Sequence, residues 1–148
     1  MIRQFLVAVA ASVCNIAIHA LVMVTVIKVA RMADEMATRH QTLRLIAVMS
    51  ATVTVLMVAH FAEVLVWSLI YVIFGVAPEG SDIVYFAFVN FATLGYGDVT
   101  PVERWHLLGP MTAMNGVLLY GWSTAVIFEV LRMTLLANNE GDTTGWPK

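Results

Sequence analysis

Three long apolar stretches divide the chain. Phe5 to Ile27 is an uncharged run of 23 residues. Leu45 to Phe74 is interrupted only by Glu63, with His60 one turn earlier. Leu107 to Phe128 is uncharged for 22 residues and continues past Glu129 and Arg132 to about Ala137. A helix of about 20 apolar residues crosses the hydrocarbon core of a bilayer, so each stretch is long enough to span. A fourth uncharged run, Ile83 to Gly97, has only 15 residues. That is short for a span and suits a re-entrant segment buried in protein. The pattern predicts an all-α membrane protein with three transmembrane helices and a re-entrant helix and loop. Arg3 ahead of the first run also fits a signal peptide. The run is too long for that, however, and it contains the polar Asn15 and His19, so a first span is expected.

Composition narrows the classes. Hydrophobic residues make up 60% of the 148 positions and charged residues 12%. A soluble domain of this size needs more surface charge, and a disordered chain needs less hydrophobicity. The net charge of −2 argues against nucleic acid as a partner. Cys14 has no second cysteine with which to form a disulfide. No phosphate-binding loop and no nucleophile constellation is visible, so neither enzyme chemistry nor a cofactor is expected.

Charge also suggests an orientation. Lys28 to Arg44 carries Lys28, Arg31, Arg39 and Arg44 against Asp34 and Glu35. Positive loops stay in the cytoplasm. The chain is then an integral protein of the cell (inner) membrane, with its N-terminus outside and its C-terminus in the cytoplasm. Glu79, Asp82, Asp98 and Glu103 outnumber Arg104 on the outer side, an acidic mouth that would concentrate cations. Trp67, Tyr71 and Trp105 fall where the outer membrane interface is expected.

The re-entrant run ends in Thr93-Leu94-Gly95-Tyr96-Gly97-Asp98. Here the sequence resembles the potassium-channel pore-domain family, the two-transmembrane, P-loop type whose filter reads TVGYG. The resemblance covers about Leu45 to Ala137, and the first helix is additional to it. Leu94, where Val is more usual, is the one departure within the motif. The resemblance implies that the carbonyls of Thr93, Leu94, Gly95 and Tyr96 replace the water shell of a K⁺ ion. The Thr93 hydroxyl would add an inner ligand. Gly95 and Gly97 permit the unusual dihedrals that such a backbone needs. Tyr96 would brace the loop from behind, and Asp98 would hold the outer mouth. Some family members pair a pore-helix glutamate with that aspartate, but Val89 stands at the matching position here. Four filter loops encircle one ion, so the resemblance implies a homotetrameric pore surrounded by lipid, with K⁺ as the transported ion.

The implied division is as follows. Residues 1–28 form an N-terminal transmembrane helix and 29–44 a cytoplasmic basic linker. Residues 45–137 form the pore domain, with outer helix 45–75, pore helix 82–92, filter 93–98 and inner helix 107–137. Residues 138–148 form a short polar cytoplasmic tail. Ser81 is the expected N-cap of the pore helix, with Asp82 in its first turn. Within the linker, Val29, Met32 and Met36 share a helical spacing that suits either an interfacial helix or a plain connector.

The remaining polar residues each carry two readings. His60 and Glu63 share a face of the second span. They form either a proton sensor or a structural pair tied to Asn115 or Ser123, and the second is favoured because polar residues often join membrane helices. Two candidate ligands fall short of a metal site. Asn15 and His19 share a face of the first span, and packing on the second span is the expectation. Gly116 and Gly121 are alternative gating hinges, with close helix packing as the competing role. Glu129 either rings the inner entrance or pairs with Arg132, and pairing is the default. The expected function is passive K⁺ conduction. The alternatives are a less selective cation channel and a non-conducting or regulatory subunit that retains the pore fold.

Overall fold

The computed structural model describes residues 1–34 and 41–143. Four α-helices follow in order: α1 (Ile2–Asp34), α2 (Gln41–Phe74), α3 (Ile83–Phe91) and α4 (Leu108–Thr143). A single 3₁₀ turn, Glu103–Trp105, precedes α4. No strand occurs among the described residues. Three helical segments, Ile2–Met32, Gln41–Phe74 and Glu103–Leu136, are long and apolar enough to cross a membrane.

The helices run past the limits set by hydropathy. α1 extends through Val29 and Met32 to Asp34, so these residues continue the first helix and form no separate linker helix. Met36 lies outside the described residues. α2 begins at Gln41 where 45 was expected, and α4 continues to Thr143 into the expected tail. Hydropathy marks the length that sits in an apolar slab. The backbone stays helical beyond it until a breaker or a cap intervenes.

The breakers themselves are legible. α2 ends at Gly75, whose φ is +57°. Val76 N–H donates to Tyr71 O at 3.0 Å and Gly75 N–H to Val72 O at 3.3 Å. This six-to-one closure with a left-handed glycine is a Schellman ending. Pro110 sits in the first turn of α4, where its missing N–H leaves no bond unmade. α3 is capped by Asp82, whose carboxylate accepts from Tyr85 N–H at 3.0 Å. Asp82 thus takes the capping place expected for Ser81. Both residue types cap well, and the one whose backbone remains extended (φ −73°, ψ 102°) does so here.

α1 packs on both α2 and α4, and α3 is wedged between α2 and α4. Two apolar clusters hold the bundle. One, near the filter end, centres on Trp67, Tyr71, Phe86, Phe91, Trp105 and Leu108. The other, near the opposite end, joins Met23, Val26, Ala30, Leu56, Val126 and Val130. Ala8 and Ala11 let α1 approach closely. Gln4 fixes its start: Nε2 donates to Arg104 O at 2.7 Å, and Oε1 accepts from Leu107 N–H at 3.0 Å. The N-terminus therefore lies at the filter end of the bundle.

Trp67, Tyr71 and Trp105 are buried within the bundle and do not face outward. Two of them keep their polar tips inside by finding partners. Trp67 Nε1–H donates to Asn115 Oδ1 at 3.0 Å, and Tyr71 O–H lies 2.7 Å from Thr112 Oγ1. An aromatic with a satisfied polar tip no longer needs the interface.

Candidate functional site: the filter loop and its frame

The loop after α3 begins as a helix ending. Ala92 N–H donates to Phe88 O at 2.9 Å, Thr93 N–H to Asn90 O at 3.1 Å, and Leu94 N–H to Val89 O at 2.9 Å. Leu94 to Val89 is the same six-to-one closure that ends α2. Here Thr93 holds the left-handed place, at φ +59°. Thr93 is the only non-glycine with positive φ among the described residues. A β-branched residue in that region costs about 1–2 kcal/mol relative to glycine. Strain of that size persists where the surroundings impose it, and it clusters at functional sites.

The left-handed turn then recurs at every second residue. Gly95 has φ +60° and Gly97 φ +77°, with no atom within 4 Å of a Cβ built at either position. Backbone conformation alone, not crowding within the subunit, demands glycine at these two positions. Leu94 and Tyr96 are 52% and 65% exposed on the single chain. Large apolar and aromatic side chains so exposed beside a strained loop leave a surface for a neighbour to cover.

Asp98 closes the loop. Its Oδ1 accepts from Val99 N–H at 3.0 Å, and its Oδ2 accepts from the Tyr85 hydroxyl at 2.7 Å. The Asp98 carboxylate holds the Tyr85 phenol above the usual tyrosine range. Val89 cannot reach Asp98 with a polar group, and Tyr85, one turn earlier on α3, supplies the tie instead. The sequence reading did not single out Tyr85. Its signal is the helical spacing that puts it on the same face as Val89.

A relay anchors α3 from behind. Thr112 Oγ1–H donates to Leu108 O at 2.8 Å, so Tyr71 O–H donates to Thr112 Oγ1. The Tyr71 oxygen in turn accepts from Asn90 Nδ2 at 3.2 Å. One chain of hydrogen bonds thus joins α3, α2 and α4, with both hydroxyl hydrogens used. Neither Asn90 nor Tyr71 was among the residues expected at the site. Gly116 lies against the end of α3: a Cβ there would run into the Phe91 carbonyl oxygen and come within 3.0 Å of its carbon. Gly121 meets nothing within 4 Å. Within the subunit, close packing accounts for Gly116, and Gly121 is unconstrained.

Deeper in the bundle the polar residues of three helices converge. His60 Nδ1 lies 2.8 Å from Glu63 Oε2, and His60 Nε2 lies 2.9 Å from Ser123 Oγ. His19 Nδ1 lies 2.7 Å from Glu63 Oε1, and its Nε2 lies 3.3 Å from Ser123 Oγ. The structural pair is therefore a four-residue ring that includes α1. Asn115 belongs to a separate group. Its Oδ1 accepts from Trp67 and from Asn15 Nδ2 at 3.1 Å, while Asn15 Nδ2 also lies 3.2 Å from Glu63 O. His19 brings the number of clustered metal-type ligands to three, where the second span alone offers two. At the far end, Arg132 Nη1 lies 3.4 Å from Glu129 Oε2, a solvent-exposed pair. Such pairs contribute little, about 0–1 kcal/mol.

The model of a family described as "Ion channel" matches residues 59–133, just over half of the chain. The match runs from His60 and Glu63 through α3 and the filter loop to Arg132 on α4. No curated protein and no solved structure matches the chain.

Proposed function

The chain belongs to this ion-channel family and is an integral membrane protein; from that premise we propose that it is a potassium-selective channel. Four copies surround one pore, and K⁺ passes down its electrochemical gradient. The observation that carries this reading is the left-handed turn at every second position, Thr93, Gly95 and Gly97. A chain that alternates hand in this way can turn successive carbonyls toward one side. Carbonyls of Thr93, Leu94, Gly95 and Tyr96 on one axis form the oxygen cage that replaces a K⁺ hydration shell. One loop covers one quarter of that cage. The exposed Leu94 and Tyr96 then pack against the next subunit, as cyclic symmetry requires.

The rest of the subunit serves the loop. The C-terminal end of α3 lies at Thr93, so its partial negative charge favours a cation there. Tyr85 holds Asp98, and the relay through Asn90, Tyr71 and Thr112 fixes α3 to the long helices. The basic segment around Arg31, Arg39 and Arg44 lies in the cytoplasm, and the acidic mouth faces outside the cell.

The test is the reversal potential of the purified protein in a planar bilayer with K⁺ on one side and Na⁺ on the other. A reversal near the K⁺ limit is expected. Gly95→Ala should abolish that selectivity, because a Cβ opposes φ +60°. A reversal near zero in the wild type would identify a less selective cation channel. No current at any voltage or pH would leave two readings, a closed gate or a non-conducting subunit.

A further inference from the structure

The ring formed by His19, His60, Glu63 and Ser123 is not needed to build a filter. His19, moreover, stands on a helix outside the matched segment. We propose that His19, His60 and Glu63 bind one transition-metal dication of the zinc class, joining α1 to the pore helices.

The donor set is two imidazole nitrogens and one carboxylate oxygen. That set suits Zn²⁺, Co²⁺ or Ni²⁺ and does not suit Mg²⁺ or Ca²⁺, which favour all-oxygen shells. The ligand atoms of the three residues lie within 4.8 Å of one another. Tetrahedral ligands at about 2.0 Å from zinc stand about 3.3 Å apart. The carboxylate oxygens, now 2.7 and 2.8 Å from Nδ1, must withdraw slightly to reach that spacing.

With both histidines neutral and Glu63 ionised, the hydrogens of the ring leave room for one more cation. The ring contains four contacts, and each needs one hydrogen. Two neutral histidines and the Ser123 hydroxyl supply three. With Glu63 ionised, one contact is left without a hydrogen, and a negative charge is buried without compensation. A metal on both Nδ1 atoms removes the shortfall. It places a hydrogen on each Nε2, and both donate to Ser123 Oγ, whose two lone pairs can accept them. Histidine ligands usually have their second nitrogen held in this way. His19 and Glu63 are fully buried, the Trp122 ring centroid lies 5.3 Å from that of His19, and the Tyr120 ring lies edge-on 4.7 Å from His60. The alternative occupant is a single extra proton, which the metal would displace.

The test uses the full-length protein in detergent, stripped with chelator and titrated with Co²⁺ by visible absorption and with Zn²⁺ by calorimetry. One metal per chain, a tetrahedral Co²⁺ band and release of about one proton per metal are expected. His19→Gln and His60→Asn should abolish the band. A variant lacking both other histidines, His40→Ala with His106→Ala, should keep it. Ser123→Ala leaves all three ligands and should weaken binding about 10- to 100-fold. It carries the test if His19→Gln does not assemble. No saturable uptake by the wild type would overturn the proposal and leave the ring to a proton. Uptake unchanged in Ser123→Ala and His19→Gln would overturn it equally.

Discussion

Gly116→Ala tests whether this glycine is there to hinge or to pack. Alanine gains about 1 kcal/mol over glycine in a helix interior. At Gly116 that gain meets the end of α3. The added methyl would stand 3.0 Å from the Phe91 carbonyl carbon and 3.3 Å from Phe91 Cδ1, with the carbonyl oxygen closer than either. Carbon atoms in van der Waals contact stand about 3.5–4.0 Å apart. α4 or α3 must therefore shift by at least about half an ångström, and overpacking of this kind costs about 1–3 kcal/mol. The net expectation is a loss of up to about 2 kcal/mol, together with displacement of the Phe91–Thr93 backbone that leads into the filter. Gly121→Ala is the internal control. It meets no neighbour within 4 Å in the subunit and should retain the helix-propensity gain. Thermal unfolding in detergent, followed by tryptophan fluorescence, should place Gly116→Ala several degrees below wild type and Gly121→Ala at or above it. Equal melting temperatures for the two variants would refute the packing argument. Wild-type stability for Gly116→Ala with altered opening would return that glycine to the role of hinge.

Two further substitutions address the frame of the filter. Tyr71→Phe removes the donor to Thr112 and the acceptor for Asn90 together, and leaving buried polar groups unpaired should cost about 1–3 kcal/mol. An unchanged melting temperature would show that the relay does not hold α3. Tyr85→Phe frees Asp98 and should speed the decay of current during sustained conduction, with wild-type decay counting against the tie. The tie needs the phenolic proton, whose pKa the Asp98 carboxylate raises. It is therefore intact below about pH 10, the ordinary tyrosine value, and is lost only as pH rises through the elevated one. The difference between wild-type and Tyr85→Phe tyrosinate titrations should have its midpoint above 10, and a midpoint at or below 10 would contradict the assignment.

The spans and the re-entrant helix were legible because bilayer thickness sets a length that an uncharged run either meets or does not. The need for glycine after Thr93 was legible because an unusual backbone demands it, and Gly95 and Gly97 do adopt positive φ. Neighbour relations between helices were not legible. Periodicity places His60 and Glu63 on one face, but nothing in spacing tells that His19, on another helix, completes their ring. The burial of Trp67 and Tyr71 was illegible for a related reason. An interface and a core both reward an apolar ring with a satisfied polar tip, and only the position of Asn115 and Thr112 decides between them. The shift of the α3 cap from Ser81 to Asp82 reflects two adjacent residues of nearly equal capping ability.

The bonds made by Asn15 also bear on how the protein is built in the cell. This carboxamide, near the middle of α1, reaches the carbonyl of Glu63, 48 positions further along the chain, and the side chain of Asn115, 100 positions further along. Synthesis at about 5–20 residues per second delivers Glu63 roughly 2–10 seconds after Asn15 and Asn115 roughly 5–20 seconds after it. Until α2 arrives, α1 holds an amide and an imidazole that hydrocarbon does not tolerate alone. α1 can settle against α2 first, and the bond from Asn15 to Asn115 fixes it in place once α4 has entered the membrane.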